Sequence, residues 1–182
     1  MVLNVIFLDI DGVLNSMAYF KSLGPKSQRG HKHDEISDFH LQKLSEIYHS
    51  VDDCKIVLSS TWRQLSDNME NNVCYGMYMY LVEELKRYDM EIYDKTPYIH
   101  NNRPLEIYTW IHNNVEKIDE LQYCILDDDF SISDYQKYGL HNHLVKTKYF
   151  CNEIYDGGLQ DYHVELAKRI LTDDGRNCEL VF

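Results

Sequence analysis

The chain opens on Val2–Leu8, a β-rich run that is almost continuously apolar and ends at Asp9 and Asp11. A strand that is apolar on both faces needs cover on both faces. In a water-soluble chain that need is met by a parallel sheet lying between helices. The pattern recurs twice. Lys55 to Ser59 carries the apolar stretch Ile56-Val57-Leu58 and runs into Ser59-Ser60-Thr61, and Tyr123 to Leu126 runs into Asp127-Asp128-Asp129.

Helical patterns separate these strands. Leu41, Leu44, Ile47 and Tyr48 share one face of a helix that Ser37 or Asp38 would cap. Tyr75 to Tyr88 reads as a second helix. Ile92 and Tyr93 begin a third strand or a short connector. Pro104 suits the first turn of a helix carrying Ile107, Trp110 and Ile111. A last short strand is expected at His143 to Lys146 and a last helix at Leu159 to Leu171. Alternating strands and helices predict an α/β class with a mainly parallel sheet. The 182 residues are enough for one domain with a proper core, spanning 1–182. Residues 16–35 read as a loop or flap, and 64–95 as a possible small insertion.

Composition narrows the partners. With 18 basic and 30 acidic residues the net charge is −12, which does not suit a broad duplex-binding surface. A small phosphorylated substrate remains compatible, because a bound metal reverses the local sign. The five cysteines form no Cys-x-x-Cys pair and suggest reduced structural thiols. His31-x-His33 reads as loop histidines, and Trp62 and Trp110 as core residues. No stretch reaches the roughly 20 apolar residues of a membrane span, and no signal-peptide pattern is present. The expectation is a soluble, cytoplasmic protein.

In open parallel sheets, sites form beyond the carboxyl ends of the strands. If the three strands are neighbours, Asp9/Asp11, Ser59/Ser60 and Asp127/Asp128/Asp129 converge. Packed carboxylates repel and raise one another's pKa. A divalent cation removes that penalty, and hard oxygen ligands favour Mg²⁺.

The segment Asp9-Ile10-Asp11-Gly12-Val13 resembles the nucleophile motif of the haloacid dehalogenase superfamily. Ile56 to Ser60 resembles its second motif, and Ile125-Leu126-Asp127-Asp128 its fourth. Arg103-Pro104 fits the third, a cation near the start of the preceding helix, with Lys95 as a competitor. Ser60-Thr61-Trp62-Arg63, Thr96-Pro97, Glu106-Ile107, the aspartate triplet, Leu144 to Thr147 and Gly158-Leu159 resemble small members found in multifunctional RNA-repair proteins.

The resemblance implies a Rossmann-like sheet with a minimal cap and a Mg²⁺-dependent phosphohydrolase. Asp9 would be the nucleophile and Asp11 the acid/base. Gly12, Ser59 or Ser60, and Arg103 or Lys95 would bind the phosphoryl group. Asp9, the Asp11 carbonyl and Asp128, or else Asp127, would hold the metal. The leading expectation is a phosphomonoester phosphatase. A nucleic-acid end-processing phosphatase is the second, with Lys21, Lys26, Arg29 and Lys32 giving the flap a basic character. An inert phosphate- or metal-binding module is the alternative of another class, and the presence of both Asp9 and Asp11 argues against it.

Overall fold

A computed structural model describes residues 2–25, 33–67, 72–115 and 120–172. Five parallel strands form one sheet: β1 (Val2–Leu8), β2 (Cys54–Leu58), β3 (Ile92–Lys95), β4 (Glu120–Asp127) and β5 (Leu144–Lys146), in the order β3-β2-β1-β4-β5. Helices α1 (Met17–Ser22), α2 (Asp38–Tyr48), α3 (Asn72–Lys86), α4 (Arg103–Val115), α5 (Ile132–Gln136) and α6 (Asp161–Thr172) accompany it.

β1 lies at the centre of the sheet, and its side chains alternate between two cores. Ile6 and Leu8 join Leu41 and Leu44 of α2, Leu81 of α3 and Ile170 of α6. Val5 and Phe7 join Ile107 and Trp110 of α4 and Tyr135 of α5. Trp110 meets Phe7 edge-on, with ring centroids 5.3 Å apart, and its indole N–H donates to Asp94 at 2.6 Å. The nearly continuous apolar run of β1 is therefore explained by burial on both faces.

Register then fixes the site. Leu8 pairs with Leu58 on one side and Leu126 on the other. The next residues, Asp9, Ser59 and Asp127, stand level at the carboxyl edge. The amides of Asp9 and Ser59 continue the ladder, donating to the carbonyls of Leu126 and Leu8. Chain order reverses at β1, with β2 on one side and β4 on the other, which is where open α/β sheets hold their ligands.

Several elements differ from the sequence reading. The loop or flap expected at 16–35 contains α1, whose first turn is capped by Ser16 Oγ accepting from the Tyr19 amide. Ser37 occupies the N-cap position of α2, but its side chain makes no capping bond. The span 64–95 includes α3 and β3. α3 buries Leu81 and Leu85 in the core on one face of the sheet, and β3 joins the sheet beside β2. Lys26, Arg29, His31, Lys32 and Cys178 lie outside the described residues. Among those described, no helix is long and apolar enough to cross a membrane.

Candidate active site

Asp9 is 4% exposed, and its two oxygens face different partners. Oδ1 accepts from the Ile10 amide at 2.8 Å, and Oδ2 accepts from Arg103 Nη1. The same nitrogen donates to Asp127 Oδ1, and Arg103 Nε donates to the Ser59 carbonyl at 2.9 Å. Arg103 is the first residue of α4, and Ile107 and Trp110 seat that helix on the sheet. The apolar face of α4 thus determines where the guanidinium ends up.

Asp127 has its hydrogen-bonding capacity filled. Oδ1 also accepts from the Asp129 amide at 3.1 Å. Oδ2 accepts from the Phe130 amide at 3.3 Å and from the Tyr135 hydroxyl at 2.6 Å. Four donors occupy the roughly four lone-pair positions of a carboxylate. Asp128 is only half-buried and lies against the Gly12 backbone. A Cβ on Gly12, whose φ is +76°, would sit 2.1 Å from the Asp128 carboxyl carbon. Oxygens of Asp9, Asp127 and Asp128 lie within 4.8 Å of one another. Three clustered carboxylates at that spacing fit one hard, oxygen-liganded divalent cation.

Asp11 is exposed at the mouth, where neutral donors hold it: Asn15 Nδ2 on Oδ1 at 2.9 Å and Trp62 Nε1 on Oδ2 at 3.0 Å. Asn15 Oδ1 in turn accepts from the Gly12 amide at 3.0 Å. Gly12 and Asp11 are therefore braced by one side chain.

The Ser60 side chain lies beside Asp9 and lowers its pKa, and its hydroxyl accepts from the Trp62 amide at 3.3 Å. The Ser59 hydroxyl is buried with no partner among the described residues. The Ser59 carbonyl accepts from two arginines, Arg103 and Arg63. Arg63 also donates to the Ser60 carbonyl at 2.8 Å and to Glu106 Oε2 at 2.8 Å. Glu106 Oε1 accepts from the Ile99 amide. The Arg63–Glu106 pair is almost fully buried.

Lys95 is not brought to the cluster. Its ammonium bonds the Ser66 hydroxyl and pairs with Asp67 at 3.2 Å. The Asp129 side chain is exposed, and only its amide turns inward. His33 stacks on Tyr80. Trp62 is buried, as expected of a core residue, yet its indole also reaches the site. Sequence reading missed the roles of Trp62, Asn15 and Tyr135. Polar side chains spaced a few residues beyond strand ends were the available signal, and many ordinary loops share it.

Electrostatics follow from this burial. Desolvation pushes Asp9 up to about 7, opposed by Arg103 and reinforced by Asp127. Desolvation, and then Asp127, push Asp128 up to about 6. An acid whose folded pKa is raised holds its proton more tightly when folded. The metal-free protein therefore loses stability as pH rises from near 3.8, the ordinary value, to about 7. A divalent cation held by these carboxylates would oppose this loss only where they are ionised. Thermal melts with Mg²⁺ and with EDTA should show a larger Mg²⁺-induced rise at pH 8 than at pH 5. Equal shifts at both values would contradict the cluster's role. Glu106→Ala leaves Arg63 buried and unpaired, which costs about 3–5 kcal/mol. Urea unfolding should show a loss of that size, and a shift below about 1 kcal/mol would exclude a structural role for the pair.

No curated protein and no solved structure gives a significant match. Residues 5–152 match the family described as "HAD domain in Swiss Army Knife RNA repair proteins". That span covers all of the carboxylate cluster, Arg103, and the Ser59-Ser60 turn. The chain belongs to this family, the haloacid dehalogenase (HAD) domain of Swiss Army Knife RNA-repair proteins.

Proposed function

We propose that the protein is a Mg²⁺-dependent phosphomonoesterase that works through an aspartyl-phosphate on Asp9. The observation that carries this reading is the convergence of Asp9, Asp127 and Asp128 around one point, with Arg103 touching two of them. Asp9 has one oxygen held by a backbone amide and the other by Arg103, an arrangement that orients a nucleophile. In the first step an Asp9 oxygen attacks phosphorus and the bond to the leaving oxygen breaks. Asp11 gives that oxygen its proton. In the second step Asp11 takes a proton from water, the water oxygen attacks phosphorus, and the bond to Asp9 breaks. Inorganic phosphate and free Asp9 result.

The remaining groups divide the electrostatic work. Arg103 stabilises charge on the phosphoryl oxygens. Ser60, already at Asp9, donates to the same oxygens, while Ser59 supplies the carbonyl that anchors both arginines. The phosphate-binding amide expected of Gly12 is instead taken by Asn15, and the missing Gly12 side chain makes room for the Asp128 carboxylate. Asp128, Asp9 and the Asp11 carbonyl would hold Mg²⁺. Asp127, with its four donors, positions Arg103. When bound, the metal neutralises the carboxylates and polarises the phosphoryl group.

A second reading, phosphate removal from a nucleic-acid end, is favoured by the family's description as part of RNA-repair proteins. The net charge of −12 favours contact with an end over a long backbone track.

The test is hydrolysis of an aryl phosphate with and without Mg²⁺. Asp9→Asn should lower kcat by at least a thousandfold, and EDTA should abolish wild-type turnover. Equal activity in wild type and variant would overturn the nucleophile assignment.

A further inference from the structure

Beside the carboxylate cluster lies a cavity of about 220 Å³ lined by Asn101, Asn102, Phe130, Asp134, Lys137 and Tyr138. Two of its lining residues, Asn102 and Phe130, neighbour Arg103, which touches the nucleophile. One side of the guanidinium reaches Asp9, and the other lies against the Phe130 ring, 5.5 Å from its centroid. Asn102 directly precedes Arg103, and Phe130 closes the turn whose amides hold Asp127. Cavity and reaction centre are thus built from the same two loops.

We propose that this cavity is a nucleobase subsite, so that the leaving group of the Asp9 reaction is the hydroxyl of a nucleoside, free or at the end of a strand. The proposal rests on the phosphomonoesterase reading for the position of the phosphoryl group.

Size is the first argument. At about 220 Å³ the cavity is smaller than the roughly 300–1,000 Å³ pockets that take drug-sized ligands. It suits one planar group. Lining chemistry is the second. Phe130 and Tyr138 supply aromatic surface, on which bases stack. Asn101 brings an amide with donors and an acceptor on one short arm, the complement that a base edge requires, and Asn102 braces the wall beside it. Asp134 and Lys137 add an acceptor and a cation at the rim, where they pair at 2.7 Å.

Backbone geometry is the third argument. His100 and Asn101 are consecutive non-glycine residues in the left-handed region, with φ of +51° and +57°. Few such residues adopt that conformation. The turn they make delivers Asn101 to the cavity while Asn102 Oδ1 accepts from the Leu105 amide at the start of α4. Asn102 Nδ2 approaches the Tyr138 hydroxyl at 3.4 Å, tying the turn to the opposite wall.

A nucleobase could arrive on a free nucleotide or on the last residue of a strand, and the experiment separates them. The probes are a short single-stranded RNA with a terminal phosphate and a terminal 2-aminopurine, the same strand abasic at that residue, and the matching mononucleotide. Binding is read from 2-aminopurine fluorescence with Asp9→Asn protein, which holds ligand without turnover. Turnover is read with wild type.

Quenching on binding is expected, together with kcat/KM for the base-bearing strand about tenfold or more above the abasic one. Asn101→Gly keeps the left-handed backbone and removes the amide. Tyr138→Leu keeps bulk and removes the ring. Each should reduce both the quenching and the base-to-abasic ratio. Turnover without base dependence or quenching would overturn the subsite and leave the phosphatase reading standing. Quenching without turnover of any probe would do the reverse. Preference for the strand over the mononucleotide identifies the end of a chain as substrate, and equal rates identify a free nucleotide.

Discussion

The site depends on one buried guanidinium held between two carboxylates. Asp9 and Asp127 stand level on neighbouring strands, and strands lie less than 5 Å apart. At about 4 Å and an effective dielectric near 20, two such charges repel by about 4 kcal/mol. Arg103 Nη1 touches both and turns that repulsion into two attractions. One guanidinium does not balance the cluster, because Asp128 adds a third carboxylate. Lys146, whose ammonium bonds the Asp128 carbonyl, offsets part of that third charge, and a divalent cation would offset the rest. The raised pKa values of Asp9 and Asp128 come first from burial, and the charge of Asp127 adds to both.

Everything that positions Arg103 therefore positions the chemistry. Its helix is set on the sheet by Ile107 and Trp110. Its Nε is set by the Ser59 carbonyl, which Arg63 also holds. Arg63 is fixed by Glu106, one turn along the same helix from Arg103. The loop after β2 and the start of α4 are thus cross-linked by a closed ring of buried polar contacts. A pair as buried as Arg63–Glu106 is weak evidence for added stability. Its geometry gives it a clear positional use, since both arginines meet at one carbonyl.

Much of this was legible in the sequence because it depends on local patterns. β1 is apolar on both faces because cores lie on both sides of it, so its run ends where the sheet ends, at Asp9. The same logic located Ser59 and Asp127. Residues whose role depends on register or on distant partners were not legible. Trp62 reads as core, and it is buried, but only the fold shows its indole N–H reaching Asp11. On charge and position the sequence points to Arg103, with Lys95 as its competitor. The structure separates them because Lys95 lies on edge strand β3 and turns to Ser66 and Asp67, whereas Arg103 begins a helix packed over β1. Asp127 and Asp128 are adjacent and chemically identical in the sequence. Their difference is that one carboxylate is saturated by four donors and the other lies open against Gly12.

The central claim is that Asp9 carries the phosphoryl group during turnover. The most direct measurement is a borohydride quench of the reacting enzyme followed by peptide mass mapping, since an aspartyl-phosphate is reduced to homoserine while a free carboxylate is not. The account predicts homoserine at position 9 when substrate and Mg²⁺ are both present, and none when either is omitted. Robust turnover with position 9 recovered only as aspartate would contradict it.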